Sequence, residues 1–203
     1  MSQFAQVALN AARTLLNDDG VQLWTDAALQ FKMEIAHREL QVQLRANACP
    51  ITRTTFEQVV PLNTFSLDPP DDMIEPITLW EKSPTDSVAL YQRMTEYDPL
   101  PITAPTNRLI SWRWAEDVLQ FIGATEDRMV KVLYKRSLPI PINGASPIGI
   151  VDGENYLGPR MAALAFGSTG NTAAADWCTQ MAVSTLSDIL VANRGRNRQV
   201  PRG

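Results

Sequence analysis

The sequence predicts an α+β fold: a helical core assembled from both chain ends, an antiparallel β region inserted between them, and an extended basic C-terminal tail. Two observations carry this prediction. Residues 1–49 hold no proline, whereas twelve of the fourteen prolines fall between Pro50 and Pro147. Proline is excluded from helix interiors, so the ends are free to be helical and the middle is assigned to strands and loops. Hydrophobic periodicity changes at the same places, from helical spacing to alternation.

In the first segment Phe4, Ala8, Ala11 and Leu15 share one helical face and predict a helix near 3–16. A second helix is expected from Thr25 to Ala46, with Leu29, Met33, Ala36, Leu40 and Leu44 as its apolar stripe. Gln30, Glu34, His37, Gln41 and Arg45 fall opposite that stripe and are expected to face solvent. In the middle, TRTTFEQVV (52–60) and EPITLWEKS (75–83) are β-prone and are separated by the Asp68-Pro69-Pro70-Asp71 turn. Alternation at Ile110, Trp112 and Trp114, the run 118–122, and alternation at Val130, Val132 and Tyr134 predict a three-strand meander over 109–136. Residues 98–107 carry three prolines and are assigned to irregular loop, as is a second Pro/Gly-rich stretch over 138–155.

Helicity is expected to return at Tyr156, with Pro159 in the first turn, and to break at Gly167-Ser168-Thr169-Gly170. Asn171 or Thr172 then caps a last helix, striped by Ala175, Cys178, Ala182, Leu186 and Ile189, that runs to about Asn193. The predicted organisation is an N-terminal helical hairpin over 1–49, a β-rich insertion over 50–150, C-terminal helices over 151–193 and an Arg-rich tail over 194–203.

With 203 residues, 45% of them hydrophobic, the chain has ample material for a core. The N-terminus lacks the basic region of a signal peptide and no apolar run reaches the roughly 18 residues of a membrane span, so a cytoplasmic setting without membrane is expected. Cys49 and Cys178 lack metal spacing and read as buried reduced thiols, with a single disulfide as the alternative. Net charge is −4, and removing the four arginines Arg194, Arg196, Arg198 and Arg202 leaves −8, so the molecule is an acidic body with a basic tail.

NDDGVQLWTD (17–26) resembles a calcium loop in composition, but with Gly20 at the sixth position the first ligand would be Leu15, and the frame fails. The stretch reads better as a joint: Asp18-Asp19-Gly20 reverses the chain, Thr25 caps the next helix, and Trp24 staples onto Leu29. His37 is the only histidine, so a scheme pairing it with Asp18, Asp19 or Asp26 is the sole catalytic alternative, and His37 itself reads as a solvated helix residue. FGSTGNT (166–172) has the composition of a phosphate loop without its lysine or preceding strand, and reads as a break between helices. No catalytic residue, cofactor or metal is therefore assigned. Trp80, Trp112 and Trp114 are expected to pack a sheet face, with a subunit interface as the next reading, and Asp18 and Asp19 join them as interface candidates. The tail arginines suit an arm that docks on an acidic surface or on phosphate.

Several stretches taken together resemble the head–tail connector, or adaptor, proteins of tailed bacteriophages. These are LLNDDGVQLWTDAALQFKMEIAHRELQVQL (15–44), MIEPITLWEKS (73–83), WRWAEDVLQFIGATEDRMVKVLYKRSL (112–138), YLGPRMAALAF (156–166) and ILVANRGRNRQVPRG (189–203). They occur in order along the chain from residue 15 to residue 203, each is loose, and none is catalytic. Residues 84–107 have no counterpart in the pattern. The resemblance implies a structural virion component at the neck, assembled in the host cytoplasm: a homo-oligomeric ring, twelve subunits in the family, that joins the portal protein to a downstream neck or tail protein. Genomic DNA would pass through the lumen without sequence-specific binding. It also implies that Arg194, Arg196, Arg198 and Arg202 reach the portal. An acidic body is compatible with such a passage, because a basic lumen would hold phosphates at many points. The alternative is a nucleic-acid or protein binding module acting through the same tail.

Overall fold

The computed structural model describes residues 4–18, 20, 23–85 and 90–194. The fold is α+β, with four helices and antiparallel sheet. The chain divides into two compact units, one formed by residues 1–52 and 138–203 and the other by 53–137. The stretch 138–150, grouped by its prolines and glycine with the β region, thus belongs to the helical unit. Leu138, Ile148 and Ile150 explain this, since all three are buried in the helical core.

In the helical unit, α1 (Ala5–Leu16), α2 (Asp26–Ala46), α3 (Glu154–Ser168) and α4 (Thr172–Arg194) contribute to one apolar cluster. The stripe Leu29, Met33, Ala36, Leu40 and Leu44 of α2 is fully buried. Cys178, Ala182 and Ile189 do the same for α4, and both cysteines are free and buried. Three helices, α1, α2 and α4, pack around α3, which is why its buried residues, from Tyr156 and Leu157 to Met161 and Ala165, are not confined to one stripe. Among the described residues no helix is long and apolar enough to cross a membrane.

Helix starts follow local chemistry. Thr25 Oγ1 accepts the Ala28 N–H at 3.2 Å at the head of α2, and Asn171 Oδ1 accepts the Ala174 N–H at 3.2 Å at the head of α4. Phe4, preceding α1, offers no side-chain cap, so the loop supplies carbonyls instead: Ala5 N–H donates to Ser146 O and Gln6 N–H to Gly144 O, both at 2.9 Å. α3 begins at Glu154, earlier than Tyr156, so Pro159 lies beyond the first turn, inside the helix. The Asn155 carbonyl, which Pro159 leaves without its usual donor, has Thr185 Oγ1 at 3.4 Å, although that hydroxyl's one proton is nearer Ala182 O at 2.8 Å.

Gly158 sets the distance between α1 and α3. A Cβ there would meet Ala11 Cβ at 2.7 Å and the Ala8 carbonyl oxygen at 3.4 Å, so only backbone displacement could accommodate it. Gly158→Ala gains up to about 1 kcal/mol of helix propensity and loses about 1–3 kcal/mol to overpacking. The expected net outcome is a destabilisation of up to about 2 kcal/mol in urea unfolding, whereas the same substitution at Gly167, where nothing lies within 4 Å, is expected to stabilise.

In the β unit, β1 (Arg53–Val60), β3 (Met73–Lys82), β4 (Gln92–Arg93) and β8 (Arg128–Arg136) form one sheet in the order β1-β8-β3-β4. The other sheet is β2-β7-β6-β5, from β2 (Ser66–Leu67), β5 (Thr95–Glu96), β6 (Ser111–Ala115) and β7 (Val118–Phe121), with β5 and β6 parallel. Their apolar residues share a single core, to which Leu79, Val130 and Val132 come from the first sheet and Leu67, Trp112, Leu119 and Phe121 from the second.

The meander expected over 109–136 does not form. β6 and β7 make a hairpin whose turn residues Glu116 and Asp117 both have positive φ, but β8 leaves for the other sheet. The reason is that the outer edge of β7 is already taken by β2, through the pairs Ser66↔Gln120 and Leu67↔Leu119. β8 pairs instead with β1 on one side and β3 on the other, and its alternation buries Arg128, Val130, Val132 and Tyr134.

Candidate subunit and partner interface

The joint between α1 and α2 is built around a carboxylate. Asn17 takes the left-handed conformation, with φ 53°, and turns the chain after α1. Asp18 is then buried, its Oδ1 accepting the Leu23 N–H at 3.0 Å and its Oδ2 the Trp24 N–H at 2.8 Å. Arg13, also buried, places Nη1 at 3.5 Å from Asp18 Oδ2 and donates to Trp24 O at 3.1 Å, while its Nη2 reaches Asp26 Oδ1 at 2.5 Å. Trp24 packs against the core that contains Leu29, and Lys32 Nζ lies 5.1 Å from its ring centroid. The arginine that meets Asp18 is thus the chain's own Arg13, and its carboxylate is turned inward rather than toward a neighbour. Asp19 lies outside the described residues.

The tryptophans divide. Trp112 is 2% exposed and Trp114 packs on the same β core, so both are sheet-face packing residues, while Trp80 on β3 is half-buried. Of the tail arginines, Arg194 ends α4 and is exposed, and Arg196, Arg198 and Arg202 lie outside the described residues.

His37 is not solvated. It is fully buried, and so is its neighbour Gln41, both carried on a flank of α2 next to the apolar stripe. Gln41 Oε1 accepts the Leu138 N–H at 3.0 Å and its Nε2 donates to Leu138 O at 2.9 Å and to His37 Nδ1 at 3.0 Å. The expectation that these residues lie opposite the stripe and face solvent is corrected: His37 stands four residues after Met33 and three before Leu40, so helical spacing sets it beside the stripe, and the segment that begins at Leu138 covers this flank. His37 also lies eleven residues beyond Asp26 on the same helix, about 16 Å along its axis, so the two do not form a catalytic pair. Among the described residues no three His, Cys, Asp or Glu side chains group to hold a metal.

Two further ionic sites escaped the sequence. Glu81 on β3, 1% exposed, holds Arg128 Nε and Nη2 at 2.6 Å and Arg108 Nε at 2.9 Å. Glu39 on α2 takes Arg160 of α3 in a bidentate pair at 2.6 and 2.9 Å, with Thr179 Oγ1 of α4 3.2 Å from Arg160 Nη1. That pair holds the Arg160 guanidinium above its ordinary pKa, against the opposing effect of its burial.

Exposed large apolar residues of the helical unit include Leu23 and Ile142 outside the helices, Phe4 and Val7 at α1, and an outward set on α2 and α4. On α2, Phe31 is 63% exposed and Val42 also faces solvent, on the side opposite the buried stripe. On α4, Trp177 is 54% exposed, and Val183 and Val191 are exposed with it. A helix that turns large apolar residues both inward and outward leaves a second face for a partner. The outer stripe of α2 was readable as Ala28, Phe31, Ile35 and Val42, at spacings of three, four and seven, but the inner stripe dominates the pattern.

Compared with protein-family models and with curated proteins, the chain matches none.

Proposed function

We propose that this protein is a structural adaptor subunit that assembles with copies of itself into a ring between a portal and the next neck or tail protein of a tailed phage. The observation that carries the reading is the pair of outward apolar faces on α2 and α4, which a lone subunit leaves in water. The ordered resemblance along the chain supplies the kind of assembly. α4 also runs unbroken to the exposed Arg194, where the arginine-rich segment begins, which supports a role for that end in docking. In a ring of this kind the acidic balance of the body eases the passage of DNA.

Sedimentation of the purified chain with its portal ring tests the proposal. A stable complex is expected, and its absence overturns the reading. Deleting residues 195–203 is expected to weaken docking at least tenfold while circular dichroism stays unchanged, and unchanged docking removes the tail from the interface. Under the alternative, in which the tail binds nucleic acid directly, the isolated chain would bind free DNA with an affinity that falls steeply with salt.

A further inference from the structure

The geometry points to a specific pairing inside that assembly: the outer face of α2 on one subunit packs against the outer face of α4 on the next copy. This rests on the ring reading and goes beyond it by naming the two faces and the reason they join.

On α2 the face opposite the buried stripe carries Phe31, Ile35 and Val42, with Arg38 and Arg45 between and beyond them. Glu34 offsets Arg38 through an ion pair at 2.6 Å, but Arg45 has no ion pair among the described residues. On α4 the face opposite Cys178, Ala182 and Ile189 carries Trp177, Ser184 and Val191 at intervals of seven residues, flanked by Val183. Asp176 and Asp188 border this face, both exposed and neither in an ion pair among the described residues, and Arg194 stands at its far end.

Each face is thus an apolar strip with unpaired charge beside it: Arg45 on α2, and Asp176 and Asp188 along α4, with the cation Arg194 at the end of the helix. Two α2 faces meeting each other would set Arg45 against a second cation, which disfavours that pairing, whereas two antiparallel α4 faces would bring Arg194 near Asp176, so charge excludes the α2 pair alone. α2 against α4 joins the apolar strips and brings Arg45 toward carboxylates. The small Ser184 in the α4 strip leaves room beside Trp177 and Val191 for a large residue such as Phe31 to enter. Because the two surfaces differ, the contact is head-to-tail, and repeated contacts of that kind close into a ring or run on as a filament. Self-association therefore follows from two faces on one helical unit, with no symmetric patch required.

The test is the concentration dependence of self-association of the full chain, by sedimentation velocity. Val42→Asp and Trp177→Ala are each expected to raise the association midpoint at least tenfold, while Val7→Asp, at an exposed apolar residue of α1 outside both faces, leaves it unchanged. Arg45→Glu alone and Asp176→Arg/Asp188→Arg together are each expected to weaken association, and the chain carrying all three to recover most of it. Circular dichroism and thermal unfolding establish that the variants are folded. If the unaltered chain forms rings and the face variants form them equally well, or Val7→Asp disrupts as much as Val42→Asp, the pairing is overturned and the ring reading stands. If the face variants assemble normally but lose the portal, the faces belong to that partner and the pairing is overturned. If the unaltered chain stays monomeric alone and with the portal ring, the ring reading falls, and the pairing with it.

Discussion

Replacing Glu81 by alanine is expected to cost the β unit about 3–5 kcal/mol of unfolding free energy, the loss typical of a buried charge deprived of its partner. Glu81 is 1% exposed and is the shared acceptor for two arginines. Arg128 is buried beside it at the start of β8 and has one other carboxylate, Glu126, at 3.9 Å on an exposed side chain. Arg108 is 40% exposed at its side chain and also donates to Gln92, so it can turn to water when Glu81 is lost. The penalty therefore falls on Arg128. Hydrogen exchange of β3 and β8 peptides reads it directly, since these strands are neighbours in the register Glu81↔Val130 and Lys82↔Met129. Glu81→Gln, which keeps an acceptor but no charge, is expected to fall between alanine and the unaltered chain. The double variant Glu81→Leu/Arg128→Met removes both charges and is expected to recover most of the loss. Full loss in the double variant would mean that the carboxylate does more than balance the arginine.

Glu81 also shows what kind of feature one sequence conceals. Its strand was legible, because EPITLWEKS is β-prone, and β8 was legible from Val130, Val132 and Tyr134. The pairing of these strands was not. Alternation states which side of a strand is buried and says nothing of which strand lies beside it, so the loss of β7's outer edge to β2, and with it the meander, could not be read locally. Helices fared better, because the apolar stripe of α2 or α4 is carried within a single element. Even there the flanks failed: His37, four residues after Met33 and three before Leu40, and Gln41, three before Leu44, border the apolar stripe yet were assigned to solvent for their polarity, whereas Leu138 arrives from nearly a hundred residues away to enclose them. The joint at Asp18 shows the same division. Thr25 as a cap and the failure of the calcium frame are local facts, whereas the inward turn of Asp18 onto Arg13 depends on how α1 and α2 meet.

The second large effect is expected at Gln41. Substitution by leucine removes at once the acceptor of the Leu138 N–H, the donor to the Leu138 carbonyl and the donor to His37 Nδ1. Each buried group left without a partner costs about 1–3 kcal/mol, so a destabilisation of about 3 kcal/mol or more is expected in urea unfolding. The same network makes stability depend on pH. Gln41 must present its oxygen to the Leu138 N–H, so its amide nitrogen faces His37 Nδ1, and the neutral ring carries its proton on Nε2. Burial lowers the His37 pKa from its ordinary 6.5; the Ile148 carbonyl acts in the opposite direction but forms no hydrogen bond of full geometry with Nε2. A proton added at Nδ1 would point at the Gln41 amide and break the contact with it. Because the folded pKa is depressed, the unfolded chain binds the extra proton first. The stabilisation is thus complete above pH 6.5 and is lost as pH falls toward the folded pKa, at up to about 1.4 kcal/mol per pH unit from this one group. His37→Leu is expected to flatten that slope, while carboxylate effects at lower pH persist. An equal slope between pH 6.5 and 5 in His37→Leu would show that the buried imidazole is not the group that titrates.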